Sequence, residues 1–597
     1  METKNDLVWL CLEAAAESKE SIETWRRQRR TLESMPNQLS QSLLHRLLQR
    51  KLLNPSLLEV FQYSVEEIDL KNENVDAEWM AYIGGFVSLR ALNLADCRAI
   101  NSSALWPIAG METLKELDLS RCVKVNDAGI KHLLSVPNLE KLCISETGVT
   151  ENGVALLSSL VNLAKLDLGG LPVTDRALSS LQVLTKLEYL DIWGSKISNK
   201  GAAVLQKFPN LSYLNLAWTN VTIFPSLPSI TCLNMSNCTI ESVLEGDCGV
   251  KTPLKELLIH GATVLYVHEV FSNIETSQLS FLDVSNSSVH DFRFLARMDA
   301  LTHLNVSYSR IEDEAMELVA EVGANLRTLN LSNTKVSSAG IGALAGLVPK
   351  LETLLLSGTM VNDVALSYIS MMPALRVIDL SSTNIKGFIP HAGEEQDEVF
   401  SLSELGSLNH LEKLDLEETH IKDEALQPLS KLQGLKTLCL KSDFLTHMSL
   451  HSIASLGNLR FLGIRGAVLT NDGLCMFNPP PLLETLDLRG CWLLTEDTIL
   501  LFCETHPQII LKHEFAQVCS AVANSGDHSS PQRSTSKTSP LKPKKSKWSP
   551  SPPSTVRKEG FVVDQRLKYR REELLEMQYS PLSQASPSVV LPQMLME

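Results

Sequence analysis

Leu114-Lys115-Glu116-Leu117-Asp118-Leu119 is one copy of the pattern L-x-x-L-x-L, which recurs through most of this 597-residue chain. Side chains of a β-strand alternate between its two faces. Leu117 and Leu119 are therefore predicted to point into a core, while Glu116 and Asp118 point outward. A short strand with one apolar and one polar face follows from this alternation.

The pattern repeats with a nearly constant period. Thirteen of the 16 spacings between successive copies are 24 or 25 residues. A fixed period of this length is typical of solenoids, in which each unit buries its apolar face only against its neighbours. A weaker copy at 65–70 reads as the first unit. The 17 other copies start at Leu89, Leu114, Leu139, Leu163, Leu187, Leu211, Ile230, Leu254, Leu279, Leu301, Leu326, Leu351, Leu375, Leu411, Leu435, Leu459 and Leu483.

The segment after each strand has its own pattern. Cys122 follows the strand at 116–119, and Cys97, Cys238 and Cys491 take the same position in other units. Threonine replaces it elsewhere, so these cysteines are predicted to be structural rather than reactive. Asn126 then suits the start of a helix, because its side chain can accept a hydrogen bond from the first free backbone N–H groups.

Each unit thus has a short strand, then a cysteine or threonine, and then a capped helix. This order resembles the ribonuclease-inhibitor-like, cysteine-containing class of leucine-rich repeats. The resemblance implies an α/β fold, a right-handed curved solenoid or horseshoe with a parallel concave sheet and helices on the convex side. We predict about 17–18 such units over 65–516, with an insertion near 387–407. The spacing of 19 residues after Leu211, where Phe224-Pro225 and Pro228 lie, predicts a unit without a helix.

Residues 1–64 precede the repeats, and the spacing of their apolar residues predicts helices. Leu7, Cys11 and Ala15 are spaced i, i+4, i+8, on one helix face, in the form L-x-x-x-C-x-x-x-A. This resembles the elongin-binding box of cullin ubiquitin-ligase substrate receptors, although Asp6 stands where that box has a small residue or proline. The resemblance implies that Leu7, Cys11 and Ala15 bind an adaptor.

The following leucine-rich stretch at 35–50 resembles the start of an F-box, without the cysteine and tryptophan that end one. This order of segments is similar to that of Zyg/Zer-type receptors, but their C-terminal armadillo repeats are missing. Residues 1–64 are thus either an elongin- or Skp-type adaptor-binding segment or a helical cap that covers the first repeat.

The tail at 517–597 is rich in serine, proline and lysine, and we expect it to be disordered, with a short helix near 564–579. Residues 520–597 hold 12 basic and 7 acidic residues, which makes this part basic in a chain of net charge −15. Lys542, Lys544, Lys545 and Lys547 form a basic cluster, which is either an import signal, an anion contact or a solvated linker.

Candidate partner-binding residues lie on the outward positions of the strands. Exposed tryptophan and tyrosine are favoured anchors of protein interfaces. The aromatic candidates are Tyr189, Trp193, Tyr213, Trp218, Phe281, His303 and Tyr308. A second set, Lys441, Arg465 and Arg489, shares one outward slot in three successive units and would suit an acidic or phosphorylated segment.

The function predicted from these features is protein binding. No signal peptide, apolar span or catalytic motif is recognisable, so we expect an intracellular protein that is not an enzyme, with cytoplasmic and nuclear locations both open. We expect no cofactor, metal, specific nucleic acid, membrane contact or obligate homo-oligomer. The first hypothesis is a substrate-recognition subunit of a cullin–RING ubiquitin ligase, with a protein target on the concave face. The second is an adaptor-free scaffold for a signalling, phosphatase or motor complex.

Overall fold

The computed structural model describes residues 7–27, 35–225, 227–243, 251–389 and 399–515. The chain divides into two compact units, Met1–Asp415 and Leu416–Glu597. The predicted tail at 517–597, its helix near 564–579, the lysine cluster and residues 390–398 of the insertion lie outside the described residues. Among the residues that are described, no helix is long and apolar enough to cross a membrane.

A parallel sheet with one strand per repeat forms the first unit, as the alternation of leucines predicts. Neighbouring strands pair without a register shift, so that Leu92, Leu117 and Leu142 lie side by side and are buried. The strands are Glu67–Asp69, Ala91–Asn93, Glu116–Asp118, Lys141–Cys143, Lys165–Asp167, Tyr189–Asp191, Tyr213–Asn215, Cys232–Asn234, Glu256–Leu258, Phe281–Asp283, His303–Asn305, Thr328–Asn330, Thr353–Leu355, Val377–Asp379 and Lys413–Glu417.

Helices and 3-10 helices connect most of these strands and complete the solenoid. The α-helices of the first unit are α1 (Leu7–Ala15), α2 (Lys19–Arg26) and α3 (Asn37–Gln49) before the repeats, then Ala77–Ile83, Asp127–Leu133, Glu151–Leu156, Asp175–Ser180, Asn199–Leu205, Val267–Ser272, Asp313–Glu321, Ser338–Leu344 and Ala365–Ile369. The 3-10 helices are Pro55–Phe61, Ser102–Ile108, Leu157–Ser159, Leu181–Val183, Thr276–Gln278, Arg293–Arg297, Gly323–Asn325 and Ser401–Ser407.

Small strand pairs occur where a repeat departs from the pattern. The short unit after Tyr213–Asn215 has no described helix, and Ile223–Phe224 instead pairs in parallel with Ser242–Val243. Thr239–Ile240 pairs with Thr263–Val264 in the same way. In the described part of the insertion, Phe388–Ile389 pairs antiparallel with Val399–Phe400, and the 3-10 helix Ser401–Ser407 follows.

The second unit repeats the same construction. Its strands Thr437–Lys441, Phe461–Arg465, Thr485–Asp487 and Ile510–Lys512 are parallel and in register. Its helices are Asp423–Lys431, a 3-10 helix, and the α-helices Met448–Ile453, Asn471–Cys475 and Glu496–Thr505. The strand Ile510–Lys512 is not predicted by the pattern, because the buried His513 stands where the other units have an aliphatic residue.

Where a repeat has cysteine in the slot after its strand, the thiol ties that repeat to the one before it. Cys97, Cys122, Cys238 and Cys491 are buried, and their thiols donate to the carbonyls of Leu70, Leu94, Leu216 and Ile464 over 3.1–3.2 Å. Burial raises the pKa of Cys97 to about 11 and that of Cys122 and Cys491 to about 12. A thiol of such high pKa stays protonated at neutral pH and is a poor nucleophile, which fits a structural role.

The aspartate at the start of several helices makes a second tie between repeats. Asn126 caps the helix Asp127–Leu133 as predicted, with its Oδ1 accepting from Ala128 N at 3.0 Å. Asp127, the first residue of this helix, bonds the next repeat, since its carboxylate accepts from Thr150 N and Thr150 Oγ1 at 2.8 and 2.6 Å. Asp175 bonds Ser198 in the same manner.

The helix α3 covers the first strand of the sheet. Gln41 Nε2 donates to Glu67 O at 2.6 Å, and Gln41 Oε1 accepts from Glu67 N at 3.4 Å. The side-chain amide thus takes the place of a neighbouring strand, which is one way in which proteins protect a sheet edge. Leu43, Leu44 and Leu47 of α3 are buried.

Candidate functional site

The helix α1 is held by one of its faces only. Leu12 and Ala16 are buried, and Trp9 lies under the guanidinium of Arg46, 5.6 Å from its ring centroid. Glu13 forms ion pairs with Arg46, at 3.0 Å, and with Arg50. These contacts join α1 to α3 and fix which face of α1 points away.

The opposite face of α1 is apolar and exposed. Leu7 is 74% exposed and Leu10 is 51% exposed, and Cys11 and Ala14 are exposed beside them. Of the predicted adaptor-binding residues, Leu7 and Cys11 therefore lie in the middle of this face. Ala15 lies at its margin, half-buried, with its carbonyl accepting from Trp25 Nε1 at 2.9 Å.

Sequence reasoning missed Leu10 and Ala14 as members of this face. Their spacing from Leu7, at i+3 and i+7, is the signal that would have found them. We call the set Leu7, Leu10, Cys11 and Ala14 the α1 face. The leucines of the F-box-like stretch, in contrast, are largely buried in α3, so the exposed apolar surface of the N-terminal helices is provided by α1.

The predicted aromatic residues fall on the outward face of the sheet and in the turns that follow its strands. Tyr189 and Tyr213 are register partners, and their rings stack with centroids 4.0 Å apart. Lys165 Nζ lies 4.4 Å from the Tyr189 centroid and adds a cation–π contact. Further along the same row, the rings of Phe281 and His303 stack at 5.7 Å.

The tryptophans and Tyr308 differ in their surroundings. Trp193 is half-buried and covers the backbone of Gly169, where an added Cβ would lie 2.1 Å from Trp193 Nε1. Trp218 and Tyr308 are 65% and 62% exposed. We call the set Tyr189, Trp193, Tyr213, Trp218, Phe281, His303 and Tyr308 the aromatic face.

Carboxylates and amides lie beside the aromatic face in the middle row of the strands. Asp191 accepts from Asn215 Nδ2 at 3.0 Å and from Trp193 N at 3.1 Å. Asp283 likewise accepts from Asn305 Nδ2 at 3.1 Å. Burial raises the pKa of Asp191 to about 6, because these neutral donors only partly offset the lost hydration. Asp191 and Asp283 thus place negative charge beside the rings, and we call this row of carboxylates the carboxylate floor.

The three predicted cations Lys441, Arg465 and Arg489 are paired with carboxylates. Arg465 contacts Asp487 at 2.8 Å and Glu417 at 3.0 Å, and Arg489 contacts Asp487 at 2.7 Å. Lys441 contacts Glu418 at 2.6 Å. Burial pushes the pKa of Asp487 upward, but the hydrogen bonds from both arginines outweigh it and lower this pKa to about 2. The row therefore offers an acidic partner less free charge than the sequence indicates.

The comparisons with known proteins concern the repeats. The model of the leucine rich repeat matches residues 110–134, 301–320, 324–345 and 407–430. No curated protein matches the chain. The chain therefore carries leucine-rich repeats, which act in protein–protein interaction. The ribonuclease-inhibitor-like subtype and the likeness to Zyg/Zer-type receptors stay predictions.

Several solved structures resemble the fold. An internalin of Listeria monocytogenes is 19% identical with a TM-score of 0.39, over 61% of this chain and 93% of that one. A leucine-rich-repeat protein of Leptospira interrogans is 16% identical with a TM-score of 0.42, over 68% and 91%. A plant peptide hormone receptor in complex with its peptide is 14% identical with a TM-score of 0.36, over 77% and 76%. Similarities at this level carry no argument about function.

Proposed function

We propose that this chain is the substrate-recognition subunit of a cullin–RING ubiquitin ligase. The α1 face binds an adaptor protein, and the outward face of the sheet in the first unit binds the protein to be modified. The adaptor in turn brings a cullin, and the transfer of ubiquitin belongs to other subunits. This chain contributes binding and positioning.

The observation that carries the proposal is the exposed apolar face of α1. Full burial of a leucine side chain is worth about 1.5–3 kcal/mol, so leaving Leu7 and Leu10 in water forgoes several kcal/mol unless a partner covers them. Cys11 and Ala14 between and beside them are small, and small residues let a second helix approach closely. Since Trp9, Leu12 and Glu13 hold the other face, α1 is presented as a formed helix.

An elongin-type adaptor is favoured over a Skp-type adaptor by the same exposure. The residues that resemble the elongin-binding box include Leu7 and Cys11, which are exposed. The leucines that resemble an F-box include Leu43, Leu44 and Leu47, which already serve the core between α3 and the first repeat.

The second candidate, an adaptor-free scaffold, is favoured by one specific observation. Gln41 closes the edge of the first strand, and α3 buries its leucines, as a cap of a solenoid does. A cap accounts for α3 completely. It does not account for the α1 face, which points away from the contacts that hold α1.

The proposal is tested by purifying the tagged full chain from cells and identifying the co-purifying proteins by mass spectrometry. The test variant is Leu7→Asp with Cys11→Asp. The matched control is Val161→Asp with Val183→Asp, two other exposed apolar residues, at 53% and 51% exposure, in the connections of the repeats. Circular dichroism checks that both variants are folded.

An elongin adaptor and a cullin are expected with the wild type and the control, and at least tenfold less of both with the test variant. If neither appears with the wild type, the ligase proposal is wrong, and residues 7–49 are a cap. If both appear equally with the test variant, the adaptor binds elsewhere, and the role assigned to the α1 face is wrong.

A further inference from the structure

In the first unit, one turn position after each strand of the large sheet has a left-handed backbone. Glycine tolerates a positive φ because it has no Cβ to clash with the following carbonyl, and asparagine does so because its short polar side chain can form local hydrogen bonds. In the first unit this position is held by Asn72, Asp96, Arg121, Glu146, Gly170, Gly194, Asn237, Gly261, Asn286, Asn333, Gly358 and Ser382, and also by Trp218 at φ +59° and Tyr308 at φ +54°. Large aromatic side chains are poor residues for this conformation.

Packing of the rings of Trp218 and Tyr308 does not offset the energetic cost of their left-handed backbone. Their exposures of 65% and 62% leave most of each ring in water. Trp193 makes a useful comparison, since its ring covers Gly169 and is half-buried. The folded chain alone therefore gives no reason for an aromatic residue at either turn, whereas a partner that covers the rings would.

The charge between the two rings has one sign. In the strands from Tyr213–Asn215 to His303–Asn305, which carry the two rings and lie between them, the charged side chains are Glu256 and Asp283, with histidine taken as neutral. Within the described parts of the chain, neither forms a salt bridge with lysine or arginine. Asp283 accepts from the neutral amide of Asn305, and Glu256 accepts from the thiol of Cys232 at 3.4 Å. A cation from a partner would find uncompensated negative charge here.

The distance between the rings limits the length of the partner segment. Trp218 and Tyr308 are four strands apart in the sheet, which at about 4.8 Å per strand separates them by about 19 Å. An extended chain advances about 3.3 Å per residue, so about six residues of a partner span this distance. Both anchors can thus contact a single short segment.

We propose that this part of the sheet binds a basic segment of the target protein, with one large apolar side chain on Trp218, another on Tyr308, and lysine or arginine between them near Glu256 and Asp283. The inference deepens the proposed function and rests on its assignment of the target to the first unit's sheet. It needs no adaptor, so its test is made without one.

The probe is a phage library of random 12-residue peptides, selected on the immobilised full chain. Enriched peptides are expected to carry lysine or arginine between two aromatic or large aliphatic residues. One enriched peptide is then synthesised, labelled and titrated against the full chain by fluorescence anisotropy. Because the isolated chain is used, a failed adaptor experiment leaves this result unaffected, and a failure here leaves adaptor binding standing.

The variants separate anchoring from folding. Trp218→Asn and Tyr308→Asn place a residue that suits the left-handed turn, so the fold is retained, and each is expected to weaken peptide binding at least tenfold. The double substitution Glu256→Gln and Asp283→Asn is expected to weaken peptide binding and to make the affinity less dependent on salt concentration. Trp106→Ala is the matched control, because Trp106 is 69% exposed in the 3-10 helix Ser102–Ile108, and it should leave binding unchanged.

Three results would overturn the inference. The first is the absence of enrichment above a surface without the protein. The second is enrichment of acidic or uncharged peptides. The third is a change below twofold when Trp218→Asn and Tyr308→Asn are combined.

Discussion

Gly169→Ala tests whether the ring of Trp193 is packed as tightly as the structure has it. An added Cβ would lie 2.1 Å from Trp193 Nε1 and 2.4 Å from its Cδ1, where ordinary contacts begin at 3.4 Å. The indole must therefore shift by roughly 1 Å to make room for the Cβ. Overpacking of this kind costs about 1–3 kcal/mol of stability.

A double-mutant cycle with Trp193→Ala isolates this contact. Gly169 has no left-handed φ, so with the indole removed Gly169→Ala should be neutral or slightly stabilising. The free energy of unfolding of all four proteins is measured by urea titration followed by circular dichroism. The expected interaction energy is about 1–3 kcal/mol, well above the 0.5 kcal/mol within which independent sites are additive.

Gly457→Ala is the control for the glycine itself. An added Cβ there would meet its nearest atom, Gln433 Oε1, only at 4.0 Å. It should change the free energy of unfolding by less than about 1 kcal/mol, in the stabilising direction. If the cycle of Gly169 and Trp193 is additive, the ring is free to swing out, and Trp193 cannot be counted as an ordered part of the aromatic face.

Three further substitutions test the carboxylate floor, the cysteine slot and the protected edge. Burial raises the pKa of Asp191 to about 6 in the fold, so the wild type loses stability as pH rises from about 4 to about 6. Asp191→Asn should therefore stabilise the protein by on the order of 2 kcal/mol at pH 7.5, but not at pH 4. Equal effects of the substitution on the melting temperature at the two pH values would contradict this reasoning. Cys122→Ala removes the thiol that donates to Leu94 O and should cost about 1–3 kcal/mol in urea unfolding, with Cys122→Ser as the variant that keeps a donor; a neutral alanine variant would refute the tie. Gln41→Ala should speed hydrogen exchange in the strand that starts at Glu67 about tenfold, since its edge amide partner is lost, whereas unchanged exchange would mean that Gln41 protects nothing.

The strands could be predicted from the sequence because the leucines of each unit have no alternative position. Leu117 and its partners Leu92 and Leu142 are buried side by side, and a shift of one residue would turn all of them outward. Among the described strands of the large sheet, the pattern misses the last one, where His513 fills the inward position and is buried instead of a leucine. A period built on one residue type cannot identify a unit that lacks it.

The pairing of side chains between units was harder to predict. Arg465 contacts Glu417, 48 residues earlier, and Asp487, 22 residues later, and no local spacing connects these three. Lys441 and Arg465 are register partners in the sheet, but the carboxylates that neutralise the cations come from other positions of the chain. For the same reason the stacking of Tyr189 on Tyr213 emerges only from the register of the sheet.

The candidate sites are found where residues depart from what the repeat requires. At the left-handed turn the solenoid accepts glycine or asparagine readily, and Arg121 at this position is explained by its ion pairs with Asp96 and Glu146 in the units on either side. Trp218 and Tyr308 occupy the same position, and within the described residues no ring stacking or cation–π contact involves them; both stay exposed. A residue that costs the fold stability at a position where a better residue is available is best explained by a contact outside the fold. By that reasoning these two turns, more than the stacked tyrosines, mark where a target binds.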